Sequence, residues 1–349
     1  VPTRLNVTLG LRGDMPAFMA KPPTNPAVLT SYGFNTADVP SGNLQWSPRV
    51  GFNWDLTGDA VNQLRGGVGL FTGRPAYVWL SNMFQNSGMG AVALLTCNAT
   101  SGSRTPPAFN NATIASPPKA CGGGQTAALG GEINVIDPDL KYPQNLRATL
   151  GYDRRLFGSW VTTLEAMYTK GVNGLFYENF ALAGSQGTNR EGRVVYGTAP
   201  FSPALKPGGR SQVFAVSNQS KDYAYSFTAG IQRRYFNNFE GSLFYTNTHA
   251  YDVQSFTSST SFSQLRFGRV VGGDVREKNP TRSTFEQRHR IIGTAMYTLP
   301  TKTDIGVTYF GESGAPYSYI ASGDLNADGL SLNDPVYVPN NAMDPTEMV

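Results

Sequence analysis

Apolar and polar residues alternate with a period of two along much of this chain, as they do in strands that present one apolar and one polar face. In residues 146–153, for example, Leu150 lies on the apolar side of the pattern and Thr149 on the polar side. The same alternation occurs at residues 4–12, 49–56, 223–232 and 304–309. The best candidate for a helical period, Tyr77–Phe84, is short, so the pattern predicts an all-β protein.

The alternation, extended to the nearest turn signals, predicts a series of long strands. These strands are residues 3–12, 45–56, 63–72, 144–157, 160–170, 222–236, 239–251, 284–298 and 303–312. The connections alternate strictly between long segments (13–44, 73–143, 171–221 and 252–283) and short ones (57–62, 158–159, 237–238 and 299–302). In an up-and-down arrangement, this alternation puts every short turn at one end and every long loop at the other.

This asymmetry is typical of outer-membrane β-barrels, whose periplasmic turns are short and whose extracellular loops are long. The strand ends beside the short turns carry aromatic residues suited to a membrane interface, namely Trp54, Phe157, Trp160, Tyr235, Phe236, Phe239 and Tyr297. The face opposite the apolar one is rich in Thr, Ser, Gly, Asn and Gln, which suits a wet or plugged lumen. We therefore predict an antiparallel transmembrane β-barrel rather than a soluble β-sandwich.

The amino-acid composition agrees with a transmembrane β-barrel and reduces the number of possible functions. Only 15% of the residues are charged and 12% are aromatic, against about 25% charged residues in a typical soluble domain. No apolar run reaches the length of about 18 residues that a membrane-spanning helix needs. The net charge is +4, with no basic run longer than a pair, so we do not expect binding of nucleic acid.

The sequence contains no constellation typical of a catalytic or zinc site. Its two histidines, His249 and His289, lie in separate predicted strands, where a structural role is expected. There is no Cys/His cluster and no GxSxG motif. We therefore predict that the protein is not an enzyme.

The only two cysteines, Cys97 and Cys121, lie in a segment rich in Gly, Pro, Ser and Asn within the long connection 73–143. Two cysteines in such a segment fit a single disulfide that closes a loop in an oxidising compartment. The alternative is a pair of unrelated free thiols. We predict the disulfide because exposed free cysteines are usually avoided.

One motif has the ligand spacing of a calcium loop. Oxygen-bearing side chains stand at positions 1, 3 and 5, Gly329 follows at position 6, and the carbonyl group of position 7 is available. The candidate ligands are Asp324, Asn326, Asp328, Leu330 and Asp334. Asp334 falls at position 11, and Pro335 stands at position 12, where a calcium loop has a bidentate Glu. The sequence is thus compatible with a weak structural Ca²⁺ site and also with a turn rich in Asp and Asn.

Several stretches, in their order and spacing, resemble the barrel of TonB-dependent outer-membrane receptors, in particular the Oar-like group. They are SPRVGFNWDLTGD (47–59), LRGGVGLFTGR (64–74), YPQNLRATLGYDRRLFG (142–158), FEQRHRIIGTAMYTLP (285–300) and GESGAPYSYIASGDLNADG (311–329). The resemblance covers nearly the whole chain. It implies a barrel of 22 strands in the outer membrane of a Gram-negative bacterium, closed by a plug domain and energised through TonB.

On this interpretation, residues 1–349 are a partial barrel domain that lacks the plug and the C-terminal end of the barrel, and residues 73–143 form an extracellular loop region with a disulfide. The expected partners are outer-membrane lipid, TonB through the missing N-terminal region, and an extracellular small molecule, glycan or peptide. The sequence does not identify this ligand.

Two alternatives have different functions. A passive porin or an adhesin-type barrel would show similar asymmetry of its connections, with smaller loops and no plug. A secreted soluble β-domain that binds carbohydrate would not depend on detergent. Finding a plug domain in the complete gene would distinguish a receptor from a porin.

Overall fold

The structure, a computed structural model, describes residues 4–89, 95, 97–108, 110–111, 115–116, 118–126, 131–208, 210–236, 238–339, 341 and 343. Its strands are β1 (Leu5–Asp14), β2 (Gln45–Asp55), β3 (Asn62–Thr72), β4 (Ile133–Ile136), β5 (Gln144–Arg155), β6 (Trp160–Gly171), β7 (Gly174–Asn179), β8 (Gly187–Thr188), β9 (Val194–Val195), β10 (Gly197–Ala199), β11 (Ser202–Pro203), β12 (Val213–Gln219), β13 (Tyr223–Phe236), β14 (Phe239–Asp252), β15 (Thr281–Arg282), β16 (His289–Thr298) and β17 (Asp304–Glu312). The α-helices are α1 (Pro26–Tyr32), α2 (Tyr77–Gln85) and α3 (Ser261–Phe267).

The long strands form one antiparallel sheet in the order β1-β2-β3-β5-β6-β13-β14-β16-β17, and the short strand β15 pairs with β14. Strands that are neighbours in this path are also consecutive among the long strands of the sequence, so the sheet is an up-and-down meander, as predicted. Within the described chain, β1 pairs only with β2 and β17 only with β16. The sheet is therefore an open arc with two unpaired edges.

One predicted strand began too early. Residues 284–288 do not continue β16 but turn around the side chain of Glu286. The Ser283 N–H donates to the Ala250 carbonyl, and the Ala250 N–H donates to the Glu286 carboxylate. Because a carboxylate takes the place of a strand partner here, the ladder between β14 and β16 begins only at His289.

The apolar positions of all the long strands fall on one face of the sheet. Leu150 of β5, for example, is opposite Gly66 of β3 and Ala166 of β6, and this row continues to Phe227 of β13. Large side chains on this face are exposed, with Leu9 at 77% and Leu150 at 52%. Such a continuous exposed apolar surface is expected where the sheet borders lipid.

The opposite face carries polar and charged side chains. Arg65 of β3 lies 2.8 Å from Asp153 of β5 and 2.6 Å from Glu165 of β6. Farther along the sheet, Ser242 and Thr294 share a hydrogen bond of 2.7 Å. These contacts match the polar lumen that the alternation predicted.

The short turns all lie at one end of the meander, and several are tight. Ser159, Asn238 and Lys302 adopt positive φ angles of 69°, 60° and 63°. Aromatic side chains lie nearby: the rings of Trp160 and Phe239 are 6.5 Å apart. Trp54, Phe157 and Tyr297 are also partly or largely exposed there, whereas the side chains of Tyr235 and Phe236 lie outside the described residues.

At the other end, the described parts of the connections 15–44, 73–143, 172–222, 253–288 and 313–338 fold together; we call them the loop layer. The buried apolar side chains of the described chain all belong to this layer, because the lipid-facing strands have no protein layer to pack against. At the centre of the layer is a three-stranded sheet in the order β4-β12-β7, in which β12 runs parallel to β4 and antiparallel to β7.

The short helical pattern at Tyr77–Phe84 forms a helix, α2 (Tyr77–Gln85), which the all-β prediction had left out. This helix contributes Leu80 and Met83 to the larger core of the loop layer. Among the described residues, no helix is long and apolar enough to span a membrane.

Candidate functional site

The loop layer contains two hydrophobic cores that make it a folded unit rather than a set of independent loops. The larger core joins α2, β4, β7, β12 and α3 through the buried residues Leu80, Met83, Ile136, Leu140, Leu175, Tyr177, Phe214, Val216, Leu265 and Leu330. The smaller core packs α1 against β4 and β12 through Val28, Tyr32, Ile133, Val135, Ala181, Val213 and Ala215. Segments from five different connections thereby hold one another in place.

The two cysteines are joined within this layer. The Sγ atoms of Cys97 and Cys121 are 2.08 Å apart, and their Cα atoms are 5.5 Å apart. Cys121 is buried, and its N–H donates to the Gln125 carbonyl at 2.7 Å. The disulfide closes a loop within residues 73–143, part of which lies outside the described residues.

The candidate calcium loop is buried in the same layer. Asp324, Asn326, Asp328 and Asp334 are each at most 2% exposed. The carboxylates accept hydrogen bonds from backbone N–H groups of the same loop, so the backbone curls around them. Asp324 accepts from the N–H groups of Asp328 (3.1 Å) and Gly329 (3.0 Å), while Asp328 accepts from the Leu330 N–H at 2.8 Å. The Leu330 side chain inserts into the larger core.

Hydrogen bonds fasten this loop to two other connections. The Phe201 N–H donates to Asp324 at 2.7 Å, and the Tyr196 N–H donates to the Asn326 carbonyl at 2.7 Å. From the second connection, the Val270 N–H donates to the Asn333 carbonyl at 2.9 Å. The loop therefore lies where residues 193–204 and 268–277 meet.

Two residues that the motif did not single out complete the cluster. The Arg193 guanidinium donates to Asp334 at 2.9 Å, so this carboxylate already has a cationic partner. The amide of Asn333 donates to Asp328 at 2.9 Å. Arg193 lies far away in the sequence and could not be found from the spacing of the motif, whereas Asn333 could have been considered because it lies within the motif.

The cluster concentrates negative charge in a buried environment. Burial is the main cause that raises the pKa of Asp328 to about 7, and the neighbouring carboxylates Asp324 and Asp334 raise it further. Burial likewise raises the pKa of Asp334. Within the described residues, no group of three or more His, Cys, Asp or Glu side chains is arranged around a common metal position. A cation here would therefore need amide and backbone oxygens as well as carboxylates.

Two concave regions adjoin the cluster. A cavity of about 140 Å³ is lined mainly by residues between 252 and 284 and also by Asp328 and Asn333. A more open groove of about 540 Å³ is lined by Arg193 and by the exposed rings of Tyr317 and Tyr319, which pack edge to face. Exposed aromatic rings in a concave region are suited to contact with a flat or apolar molecule.

The two histidines contact tyrosine side chains of neighbouring strands. The His249 ring stacks on Tyr225 at 4.8 Å, and His289 shares a hydrogen bond of 2.8 Å with Tyr245. Both lie at the ends of strands next to the loop layer.

Comparison with solved structures finds partial similarity to outer-membrane receptors and transporters. The chain is similar to the siderophore receptor PirA from Acinetobacter baumannii, with a TM-score of 0.45 and 14% identity over 89% of this chain and 32% of that chain. It is similar to the outer membrane transporter YddB from Escherichia coli, with a TM-score of 0.48 and 11% identity over 82% of this chain and 31% of that chain.

A mutant of the ferric enterobactin receptor PfeA from Pseudomonas aeruginosa, solved in complex with enterobactin, gives a TM-score of 0.43 and 12% identity over 91% of this chain and 32% of that chain. The chain thus spans about a third of the length of these receptors. No curated protein gives a significant match.

A family model gives the decisive match. The model described as the outer membrane beta barrel domain matches residues 4–346, nearly the whole chain. This match agrees with the meander, with the lipid-facing apolar surface and with the prediction that the protein is not an enzyme. The chain therefore lies in the outer membrane of a Gram-negative bacterium and belongs to the outer membrane beta barrel domain family.

Proposed function

We propose that this chain is part of the barrel of a TonB-dependent receptor that imports a scarce nutrient across the outer membrane. The observation that carries the proposal is the loop layer. Its connections form two hydrophobic cores and a sheet of their own, so they present a fixed surface at one end of the barrel. A receptor that must select a rare ligand needs such a preorganised surface.

The groove beside Tyr317 and Tyr319 is the part of this surface best suited to the ligand. Both side chains are largely exposed, at 78% and 62%. Arg193 in the groove wall is buried and paired, so the exposed lining is mainly aromatic and apolar. A small molecule, a glycan or a peptide with a flat or apolar face would be recognised by such a lining.

The sheet supports a large barrel. Strands β1 and β17 each have an unpaired edge within the described chain, and lipid cannot satisfy their backbone groups. Further strands are therefore needed to close the barrel, as in the 22-stranded family that the sequence resembles. The ion pairs of Arg65 on the lumen face would then border a plug. TonB would contact a region N-terminal to this chain.

Measurement of single-channel conductance distinguishes a TonB-dependent receptor from a passive porin, the main alternative. We expect the complete receptor, purified in detergent and inserted into planar lipid bilayers, to show no steady open-channel current because a plug fills its lumen. A stable ohmic conductance of the untreated protein would instead identify a passive porin. An adhesin would also lack conductance but would leave nutrient uptake unchanged.

Growth on limiting nutrients tests whether uptake through this protein requires energy supplied by TonB. A strain lacking the gene should grow more slowly than its parent on at least one limiting source of iron, cobalamin or glycan. Deletion of tonB should cause the same defect, and the double deletion should add nothing to it. Normal growth of the gene deletion strain on every such source would argue against the receptor.

A further inference from the structure

The loop Asp324–Leu330 buries two carboxylates that accept hydrogen bonds from N–H groups but have no cationic side chain as a partner. The ion pair of Arg193 goes to Asp334, and no Lys or Arg of the described chain forms an ion pair with Asp324 or Asp328. Both carboxylates are at most 2% exposed. Burying two carboxylates side by side without a positive charge is costly, and a bound cation is one of the usual remedies.

Asn333 gives an independent indication of a ligand. It is 1% exposed, and its amide is directed into the cluster, with Nδ2 2.9 Å from the Asp328 carboxylate. Its Oδ1 atom is buried without a hydrogen-bond partner. A half-turn of the amide exchanges the two atoms and turns this oxygen toward Asp328. The unpaired oxygen would then have a cation as its partner.

The amide of Asn326 also donates to the Asp328 carboxylate, while its Oδ1 accepts from the Asp328 N–H at 3.0 Å. Its Nδ2 lies 3.3 Å from the Asp328 oxygen that Asn333 also approaches. Two amide NH₂ groups therefore converge on one carboxylate oxygen, where they supply the positive end of a dipole. A cation at this point would replace both donors, and the unpartnered oxygen of Asn333 would turn inward to bind it.

We propose that Asp324, Asn326, Asp328, the Leu330 carbonyl and Asn333 bind one Ca²⁺ ion. The donor set consists of oxygens only, which favours a hard cation over zinc or copper. The flexible mixture of carboxylate, amide and carbonyl ligands suits Ca²⁺ better than Mg²⁺, which demands near-ideal octahedral geometry. Asp334 is a supporting residue, because its pairing with Arg193 takes it out of the ligand set suggested by the sequence.

The ion would fasten the loop layer. Its ligands lie in the loop that receives hydrogen bonds from Tyr196, Phe201 and Val270, so three connections meet at the site. Ca²⁺ binding would therefore order residues 193–204 and 268–277 together with the loop. This inference does not depend on the transport proposal, because a passive barrel could hold the same ion.

Calorimetry of the complete receptor, stripped with EDTA and titrated with CaCl₂, tests the site. We expect one Ca²⁺ per chain with a dissociation constant of about 10⁻⁴–10⁻³ M, as in extracellular calcium modules. Asp328→Asn should weaken binding at least tenfold, whereas the matched control Asp139→Asn, in another part of the loop layer, should leave it unchanged. Titration with MgCl₂ in place of CaCl₂ should not give this binding heat.

A second variant keeps the test decisive if Asp328→Asn fails to fold. Asn333→Asp adds a carboxylate at the proposed ligand and should tighten Ca²⁺ binding, because ligand charge sets affinity in such loops. Limited proteolysis of the wild type should show protection of residues 193–204 on adding Ca²⁺. The site is disproved if the wild type gives no saturable Ca²⁺ heat, or if Asp139→Asn and Asp328→Asn bind equally well.

Discussion

At the scale of single residues, Glu286 shows how one buried carboxylate organises the junction between a strand and the loop layer. It is fully buried and accepts hydrogen bonds from Ala250 N–H, Arg282 and Arg288. Burial by itself raises the pKa of Glu286, but the hydrogen bonds from Ala250 and Arg282 outweigh it and lower the pKa below the ordinary value of 4.5. The ionised form is therefore the one that stabilises this turn.

We expect Glu286→Gln to lower the free energy of unfolding by about 1–3 kcal/mol, because the two partly exposed arginines lose their charged partner. Since the folded-state pKa is lowered, this contribution is complete above about pH 4.5 and is lost as the pH falls through the folded-state value. Denaturant unfolding of the complete receptor at neutral and acidic pH measures it. The exposed residue Glu240 gives the control Glu240→Gln, and equal losses for the two variants would contradict the prediction.

The two faces of β5 allow a second prediction at this scale. Leu150→Arg places a charge on the lipid-facing side and should cost about 2–4 kcal/mol near the middle of the bilayer. Thr149→Arg places the same charge on the adjacent lumen-facing position and should cost clearly less. The free energies of unfolding of the two variants in lipid vesicles measure this difference. Equal penalties would mean that both faces are packed against protein.

At the scale of elements, the connections matter as much as the strands. The loop 73–143 contributes α2 and β4 to the core of the loop layer, and a disulfide closes its middle part. β7 follows shortly after β6 along the chain, and β12 leads shortly into β13. The central sheet of the layer is therefore connected directly to barrel strands. The loop layer and the barrel are therefore built from continuous pieces of chain.

We expect the disulfide to stabilise this element by about 3 kcal/mol, because it shortens the unfolded chain between Cys97 and Cys121, 24 residues apart. Replacing both cysteines with serine should lower the midpoint of thermal unfolding and should make residues 97–121 more sensitive to protease. Mass spectrometry of the unreduced wild type checks the bond itself. Two alkylatable thiols in that sample would contradict it.

At the scale of the whole molecule, the two ends of the meander are chemically different. One end consists of tight turns flanked by aromatic side chains, and the other carries the folded loop layer. Because the extracellular loops of outer-membrane barrels are the long ones, the loop layer is expected outside the cell and the tight turns in the periplasm.

Cysteine labelling tests this orientation with a matched pair of exposed threonines. In the complete receptor, Thr188→Cys in the loop layer should react with a membrane-impermeant maleimide on intact cells. Thr301→Cys in the turn between β16 and β17 should react only after the outer membrane is permeabilised. If both react equally on intact cells, the proposed orientation is wrong.

The sequence by itself determined the barrel strands and their faces. A period of two fixes which side of each strand is apolar, and in the sheet these positions pair with one another, as Leu150 does with Gly66 and Ala166. The alternating lengths of the connections likewise determined which end of the meander carries the short turns and which end carries the long loops. These features are local or additive along the chain, so one sequence is enough to predict them.

Only the tertiary structure decided how the long connections pack. The pairing of Arg193 with Asp334 and the contact of Val270 with Asn333 join residues far apart in the chain, and no local period reports such contacts. For the same reason, the strand predicted at 284–298 was too long: a long-range hydrogen bond from Ala250 to Glu286 ends the pairing that local pattern would have continued. Packing of the loop layer therefore depends on hydrophobic cores assembled from several connections, which exist only once the chain has folded.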